Sequence, residues 1–158
     1  MRTARLPQRT PSHPPSAHGI SSHRLRGTVI YELGPQETLV FEASPVATIV
    51  AWMGSGEVRL NAAALAMLGL GSHEQVHSLA ELQASMGLTD AECSLARTLR
   101  GEVVGPCEQR VQLSNGERTL SIEARPIFDE SRRLSGEDQA CLVGVVATAR
   151  DVTDELAR

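Results

Sequence analysis

The segment GEVRLNAAALAMLGL, residues 56–70, decides the fold because a single polar residue in it joins a strand to a helix. Residues 46–53, just before it, are a β-branched apolar run that predicts a strand. The GSGE sequence then predicts a tight turn, so that VRL pairs back as the second strand of a hairpin. Asn61 is the predicted N-cap of a helix over residues 62–68, because its side-chain oxygen can accept from the free N–H groups of the first turn.

The C-terminal third of the chain has an apolar period of two, which predicts antiparallel strands. CEQRVQL, the turn SNGE and RTLSIEARPI form a predicted hairpin over residues 107–127. Val111 and Leu113 then lie on one face, opposite Leu120, Ile122 and Ala124. The last strand, CLVGVVATAR at 141–150, is apolar on both faces. That pattern is typical of a central strand that is covered on both sides.

Two further segments predict helices. PQETLVFEAS at 35–44 begins with proline and has an acid in its opening turn. Leu39, Val40 and Ala43 form its predicted apolar stripe, and Pro45 ends it.

The second of these helices lies in LTDAECSLARTLRGE, residues 88–102. Thr89 is its predicted cap, and Glu92 completes a capping box with Thr89. Leu95 and Leu99 are predicted to face inward.

Composition and charge limit the functional classes. The chain has 158 residues, of which 41% are hydrophobic, so a single domain with an aliphatic core is expected. Aromatic residues make up only 3%, which disfavours stacking on RNA or single-stranded DNA. No apolar run reaches the roughly 18–20 residues of a membrane span, and a cytoplasmic location is expected.

The N-terminal segment differs from the rest in charge. Residues 1–27 are rich in Pro, Ser and His and hold five basic residues but no acid, which predicts a disordered basic tail. The remaining chain, with ten basic and nineteen acidic residues, carries −9 and is a poor partner for duplex DNA. Cys93, Cys107 and Cys141 are widely spaced, without zinc-site spacing. They are interpreted as buried or half-buried apolar residues in a reducing compartment, and no metal site is predicted.

Five short motifs, in this order, resemble the PAS sensor domain. They are FEASPVATIVAW, the G-E-V-x-x-N turn with its helix, LRGE before a strand, SNGE between strands, and GVVATARDVTDE. The resemblance covers about residues 38–155. It implies an α+β fold, with a five-stranded antiparallel sheet, short helices on one face and an N-terminal helix outside the core. It divides the chain into the tail (1–27), an N-terminal strand and helix cap (28–45), the PAS domain (46–155) and the start of a signalling linker helix (151–158).

The resemblance also implies a mode of action. Members of the family use an apolar pocket between sheet and helices for haem, flavin, a chromophore, small metabolites or nothing, and signal through dimerisation and a helix after the last strand. In many members that strand ends in D-[IV]-T, which DVT at Asp151 and Thr153 matches. Asn61 matches the Asn that often opens the first helix of the family.

The known cofactors of the family fit this sequence poorly. Flavin-binding members have a reactive Cys among Asn, Arg and Gln; here Cys93 lies in AECSLART without those neighbours. The same helix has no His for haem. His73 and His77 have a spacing that could ligate a metal or haem, but surface His is the favoured interpretation. A thioester chromophore needs a Tyr/Glu set, and Tyr31, the one Tyr, is outside the domain.

Two alternatives remain for the pocket: it binds a small hydrophobic ligand, or it binds no ligand. The inward faces would line either a pocket or a filled core, and side chains of this size favour the filled core. These candidate residues are Leu95, Leu99, Val111, Leu113, Leu120, Ile122, Val143 and Val145.

The sequence therefore predicts a non-catalytic sensory or regulatory module of bacterial signalling type, acting with a histidine kinase, diguanylate cyclase or phosphatase output in cis or in trans. No kinase, ATP-binding or cyclase motif is present in the sequence. The alternative is a module that serves only for dimerisation or protein interaction, including regulation of transcription. An enzyme using Asp90, Glu92 and Glu102, and a nucleic-acid binder using the basic tail, are both disfavoured. A homodimer through the N-terminal helix and the outer sheet face is expected.

Overall fold

A computed structural model describes residues 20–25, 28–71, 76–129 and 141–157 of the chain. Within them the elements run in the order β1 (Ile20–Leu25), β2 (Thr28–Leu33), α1 (Pro35–Ala43), β3 (Ala47–Trp52), β4 (Val58–Leu60), α2 (Ala62–Met67), α3 (Leu79–Met86), α4 (Ser94–Leu99), β5 (Cys107–Leu113), β6 (Gly116–Asp129), β7 (Cys141–Asp151) and α5 (Thr153–Leu156).

Strands β3 to β7 form one antiparallel sheet in the order β4-β3-β7-β6-β5. The predicted strands at 46–53, 58–60, 107–113, 118–127 and 141–150 are therefore confirmed, with β7 at the centre. The α+β class with five antiparallel strands and short helices is confirmed as well. Ala47 pairs with Ala149, so the chain enters the sheet on β3 and leaves it on β7 at the same end.

The N-terminal prediction is partly wrong. Residues 20–25, assigned to a disordered tail, form strand β1, which pairs with β2 from Ile20–Leu33 to Leu25–Thr28. The β-branched run TVIYEL provides a partner strand for the preceding residues, so their polar composition does not prevent pairing. The rest of the predicted tail, 1–19 and 26–27, lies outside the described residues.

The inner face of the sheet carries the main core. Helices α2, α3 and α4 cover it, and their buried side chains pack on those of the strands. Most of the residues with almost no exposed surface are apolar and come from both layers, as in Leu68, Leu82, Leu95, Leu120 and Val145. Aliphatic residues thus fill the core, as the aromatic-poor composition predicts.

The outer face of the sheet carries a second, smaller cluster. Phe41 from α1 packs there with Val50, Trp52 and Val143, and Leu33, Ile127 and Val146 lie beside them. The two-faced apolar character of β7 thus has its explanation, because helices cover one face and α1 covers part of the other.

Val143 is on the face opposite to the predicted one. Strict alternation puts it with Val145, but the pairing of β6 with β7 shifts between Ile127 and Phe128, which leaves Val143 as the extra residue of a β-bulge. An extra residue reverses the alternation beyond it, so Val143 and Val146 share the outer cluster while Val145 lies in the inner core.

Gly144 allows this packing. A Cβ on it would lie 2.7 Å from the Ala51 carbonyl oxygen and 2.8 Å from a ring carbon of Trp52, its pairing partner. Any larger residue would push the indole away from the bulge. The glycine is thus required by the close approach of the Trp52 ring.

Helix α1 is confirmed in its bounds, but its predicted inward stripe is wrong. Leu39 and Val40 are 70% and 71% exposed, and Ala43 is exposed too, whereas Phe41 is the buried residue. The helix therefore has two apolar sides. The Phe41 ring packs against the sheet beside Trp52, because it is larger than the side chains of Leu39, Val40 and Ala43 and fills that space.

The cap prediction for α4 is wrong as well. Glu92 does accept from the backbone and hydroxyl of Thr89, at 2.9 and 2.7 Å, but these residues form a turn and α4 begins only at Ser94. The capping box is instead at α3, where Ser78 and Glu81 bond each other's backbone N–H groups. The prediction mistook a turn stabilised by the same contacts for a helix start.

Candidate functional site

The Asn61 side chain is the centre of a buried hydrogen-bond network at the end of the sheet. It is 0% exposed. Its Oδ1 accepts from the Ala64 N–H at 2.9 Å, which confirms the predicted N-cap of α2, and from the Thr48 N–H at 3.0 Å. Its Nδ2 donates to the carbonyl oxygens of Phe41 at 3.0 Å and Val46 at 2.8 Å. One amide group therefore joins α1, β3 and α2.

Arg59 provides a second attachment for α1. Its guanidinium lies 5.6 Å from the centre of the Phe41 ring, and it is 3.3 Å from the Glu42 carboxylate. A cation over an aromatic face and an ion pair on the next residue hold the helix C-terminus against β4. The orientation of α1 thus depends on polar contacts from the hairpin that follows it.

The DVT residues form a junction between β7, β6 and α5. Asp151 Oδ1 accepts from the Thr153 N–H at 2.9 Å and from its hydroxyl at 2.5 Å. Thr153 Oγ1 in turn accepts from the Thr119 N–H at 2.9 Å, and the Val152 N–H donates to the Thr119 carbonyl at 2.9 Å. The helix α5 follows β7 along the chain, and its first residues are therefore hydrogen-bonded to the neighbouring strand β6.

Two ion pairs surround this junction. Arg118 lies 3.9 Å from Asp151, and Arg150 lies 3.0 Å from Glu155 on α5. Hydrogen bonds from the hydroxyl and N–H of Thr153, with the charge of Arg118, hold the pKa of Asp151 below its ordinary value. The ionised carboxylate is thus the form that the folded junction stabilises.

Asn61 and the DVT junction are at the same end of the sheet. Asn61 binds Thr48 of β3, which pairs with Thr148 of β7, three residues before Asp151. Asn61 is therefore bonded to β3, and Asp151 ends the neighbouring strand β7. The contacts of Asn61, where the chain enters the sheet, and those of Asp151, where it leaves, therefore act on the paired strands β3 and β7.

The predicted pocket residues divide between the two faces of the sheet. Seven of the eight lie in or against the inner core; Leu99 is half-buried there and Val143 is on the outer face. The six buried in the inner core are Leu95, Val111, Leu113, Leu120, Ile122 and Val145. A pocket lined by Val143 together with Val145 is inconsistent with the bulge, and a pocket among the other seven stays a prediction.

The acids considered for catalysis are engaged separately. Glu102 bonds Arg97 and Arg100, Glu92 bonds Thr89, and Asp90 accepts from Gln83. The hydrogen bond from Arg97 lowers the pKa of Glu102. A general acid at neutral pH requires a raised pKa, so these contacts stabilise the local fold and are the opposite of what acid catalysis needs.

The predicted burial of the cysteines is confirmed, the reducing compartment stays a prediction, and only one of the two histidines lies among the described residues. Cys93 is buried, and Cys107 and Cys141 are half-buried. His77 is exposed, and His73 lies outside the described residues. In the described ranges no three His, Cys, Asp or Glu residues are grouped as a metal site would require. Among the described helices none combines the length and apolar character of a membrane span.

Sequence reasoning did not identify several of the contact residues. Thr119 acts through its main chain, for which a sequence carries no signal. Phe41 could have been recognised as one of only two Phe in the chain, placed in the middle of α1. Ser94 meets Cys107, and Gln109 meets the Glu92 carbonyl, only because residues 92–94 lie beside the first residues of β5.

Comparison with solved structures identifies the fold. The chain is similar to the crystal structure of the PAS domain of a protein from Colwellia psychrerythraea, with a TM-score of 0.52 and 17% identity, covering 75% of this chain and 96% of that one. No protein-family model matches the chain. No curated protein matches it either. The chain therefore has a PAS-like fold, which confirms the resemblance at the level of fold.

Asn61→Ala should lower the free energy of unfolding by about 3 kcal/mol or more, because buried donors and acceptors on three elements lose their partners. Asn61→Asp keeps two acceptor bonds but places a carboxylate against the Phe41 and Val46 carbonyls, so we expect the amides of α1 to exchange faster. Urea unfolding and hydrogen exchange measure both effects. Ser78→Ala, which removes only an exposed cap, is the control at about 1 kcal/mol. Equal losses for Asn61→Ala and Ser78→Ala would contradict the central role of Asn61.

Asp151→Asn should reduce stability by about 1 kcal/mol or less at neutral pH, since the site is partly exposed. The folded pKa of Asp151 is lowered, so its contribution is present above the unfolded pKa and is lost as pH falls through the folded value. The difference between wild type and variant should therefore shrink below about pH 4. Urea titrations from pH 7 downward measure it, with Glu57→Gln, an exposed acid in the β3–β4 turn at the opposite end of the sheet, as the control. A difference that grows on acidification would refute the assignment.

Proposed function

Starting from the PAS-like fold, we propose that this chain is a non-catalytic, cytoplasmic sensory or regulatory module. It passes a change caused by a ligand or partner to a signalling output through α5. PAS domains are typically non-catalytic sensory domains, and the output would be a histidine kinase, diguanylate cyclase or phosphatase, in cis or in trans. The observation that carries this proposal is the bonded junction of Asp151 and Thr153 with Thr119.

The junction has the connectivity that a relay requires. Val152 and Thr153 bond both main-chain groups of Thr119 on β6, and the next residue of β6, Leu120, is almost fully buried in the inner core. A change in core packing at β6 therefore reaches the first turn of α5 through two hydrogen bonds. A ligand that favours one arrangement by about 1–3 kcal/mol is sufficient to bias an attached partner.

The entry of the chain provides a second path to the same end of the sheet. Asn61 and Arg59 hold α1 beside β3 and β4, and β3 pairs with β7 over its whole length. A partner bound to α1 would thus act on the strand that leads into α5. This arrangement supports a module that joins an input at its N-terminal side to an output at its C-terminal side.

Fusion of the full chain through α5 to a histidine kinase transmitter tests the relay. Thr153→Ala removes the acceptor for the Thr119 N–H, so we expect kinase activity to change at least severalfold relative to wild type. Thr148→Ala, at an exposed Thr of β7 five residues before Thr153, is the matched control and should leave activity unchanged. Circular dichroism confirms that both variants fold. Equal activities for the two variants would show that α5 is not the output path.

The alternative function is dimerisation or protein interaction without a relay, and α1 supports it. Leu39, Val40 and Ala43 form an exposed apolar stripe on a helix that is firmly held on its other side. An apolar stripe of this kind is typical of an interface between proteins. We propose a second copy of the chain as its partner.

Light scattering at tens of micromolar tests the interface. Wild type should be a dimer and Leu39→Glu a monomer, because the charge would be buried against the partner stripe. Val103→Glu, which makes the same apolar-to-acid change at a fully exposed loop residue outside α1, is the matched control and should stay a dimer. A monomeric wild type with residues 28–45 intact would contradict the interface while leaving the relay to be judged by the kinase fusion.

A further inference from the structure

We propose that Gln109, Ser94 and Cys107 form a polar subsite between α4 and β5 that binds the hydroxyl group of a small, neutral, otherwise apolar molecule. The proposal rests on the proposed sensory function, because it names the chemistry of the ligand to be sensed. Its carrying observation is independent of the C-terminal junction: a buried acceptor on the inner side of β5 has no donor.

The acceptor is Oε1 of Gln109. Within the described part of the chain it is the one buried side-chain oxygen or nitrogen that has no hydrogen-bond partner. The Nε2 of the same amide donates to the Glu92 carbonyl oxygen, which fixes its orientation. Reversing the amide would bring Oε1 against that carbonyl, two acceptors facing each other. Native proteins leave few buried acceptors unsatisfied, so a donor is expected here.

A hydroxyl and a thiol lie on the same side of β5. Ser94 Oγ and Cys107 Sγ are 3.2 Å apart, and either atom can donate to the other. Ser94 is only 2% exposed. Cys107 is two residues from Gln109, so both side chains point to the same face of the strand. Ser94 is likewise two residues from Glu92. Two contacts thus join residues 92–94 to residues 107–109 on the same side of β5.

These groups specify a ligand that both donates and accepts. Gln109 needs a donor, while the Ser94 and Cys107 pair has two hydrogens and uses one between them, so the other is available for an acceptor. A hydroxyl group satisfies both requirements. A carboxylate or phosphate would face the oxygens of Gln109 and of the Glu92 main chain without a cation. The Glu92 carboxylate is held at Thr89, and the three side chains of the subsite are themselves neutral, which favours a neutral ligand.

The surrounding side chains specify an apolar body. Val111 is the next inward residue on β5 after Gln109, and Leu95 follows Ser94 on α4; both are almost completely buried. A hydroxyl at the subsite would therefore be attached to a group in contact with aliphatic side chains. Phenols and small alcohols have this combination, whereas sugars and nucleotides carry too many polar groups for such walls.

NMR titration of the ¹⁵N-labelled full chain with phenol, and with anisole as the matched ether that lacks the donor, tests the subsite. The side-chain amide signal of Gln109 is assigned from its loss in Gln109→Met. We expect phenol to shift that signal and the backbone amides of residues 94, 107 and 109. We also expect it to bind on the order of tenfold more tightly than anisole, because one buried acceptor gains a donor.

Gln109→Met should bind phenol and anisole equally, since the methionine has a similar volume and no carboxamide. Thermal unfolding shows whether this variant is folded, and Gln109→Leu, which also lacks the carboxamide, is the second variant if it is not. Equal affinities in wild type, no shifts at these residues up to the solubility of phenol, or a long-lived water that phenol does not displace would each overturn the subsite.

The outcomes separate this proposal from the proposed function. If phenol does not prefer the subsite while the kinase fusion still depends on Thr153, the subsite is wrong and the relay stands. If phenol binds at Gln109 but Thr153→Ala leaves the fusion unchanged, the subsite stands and the relay is wrong.

Discussion

The buried amide of Asn61 is the contact on which the arrangement of the other elements depends. A carboxamide enclosed in protein is stable only if its donors and its acceptor are satisfied, and Asn61 satisfies them with main-chain groups of α1, β3 and α2. None of these elements can move alone without exposing a polar group to an apolar interior. The helix that covers the outer sheet face and the first helix that covers the inner face are therefore positioned by one residue.

Both faces of the central strand, β7, have to be covered by other elements. β7 is apolar on both faces, so both must be shielded from water, and a bulge at Val143 decides which side chains go to which face. Gly144 leaves room for the Trp52 ring, and Phe41 completes the outer cluster beside it. The inner core is large and mainly aliphatic, while the outer cluster is small and depends on α1. The outer cover is consequently the more easily changed of the two layers.

Function follows from where the polar contacts are concentrated. Asn61 is bonded to β3 at the entry, Asp151 and Thr153 lie at the exit from the neighbouring strand β7, and the exit is bonded to β6, whose side chains line the inner core. Gln109 lies on β5, which pairs with β6. A ligand bound at β5 would thus be one strand away from the residue that holds α5, which joins the proposed subsite and the proposed output through a single strand pair.

The sequence by itself determined those features that depend on local chemistry. The strand periods, the SNGE turn, the bounds of α1 and the cap at Asn61 were predicted correctly, because each follows from neighbouring residues along the chain. Only the tertiary structure decided that Val143 faces outward, that Phe41 and not Leu39 is buried, and that β1 pairs with β2. It also decided that Thr119 meets Thr153 across 34 residues and that Gln109 lacks a donor. These outcomes depend on which surfaces pack together, and packing is set by contacts between segments far apart in the chain.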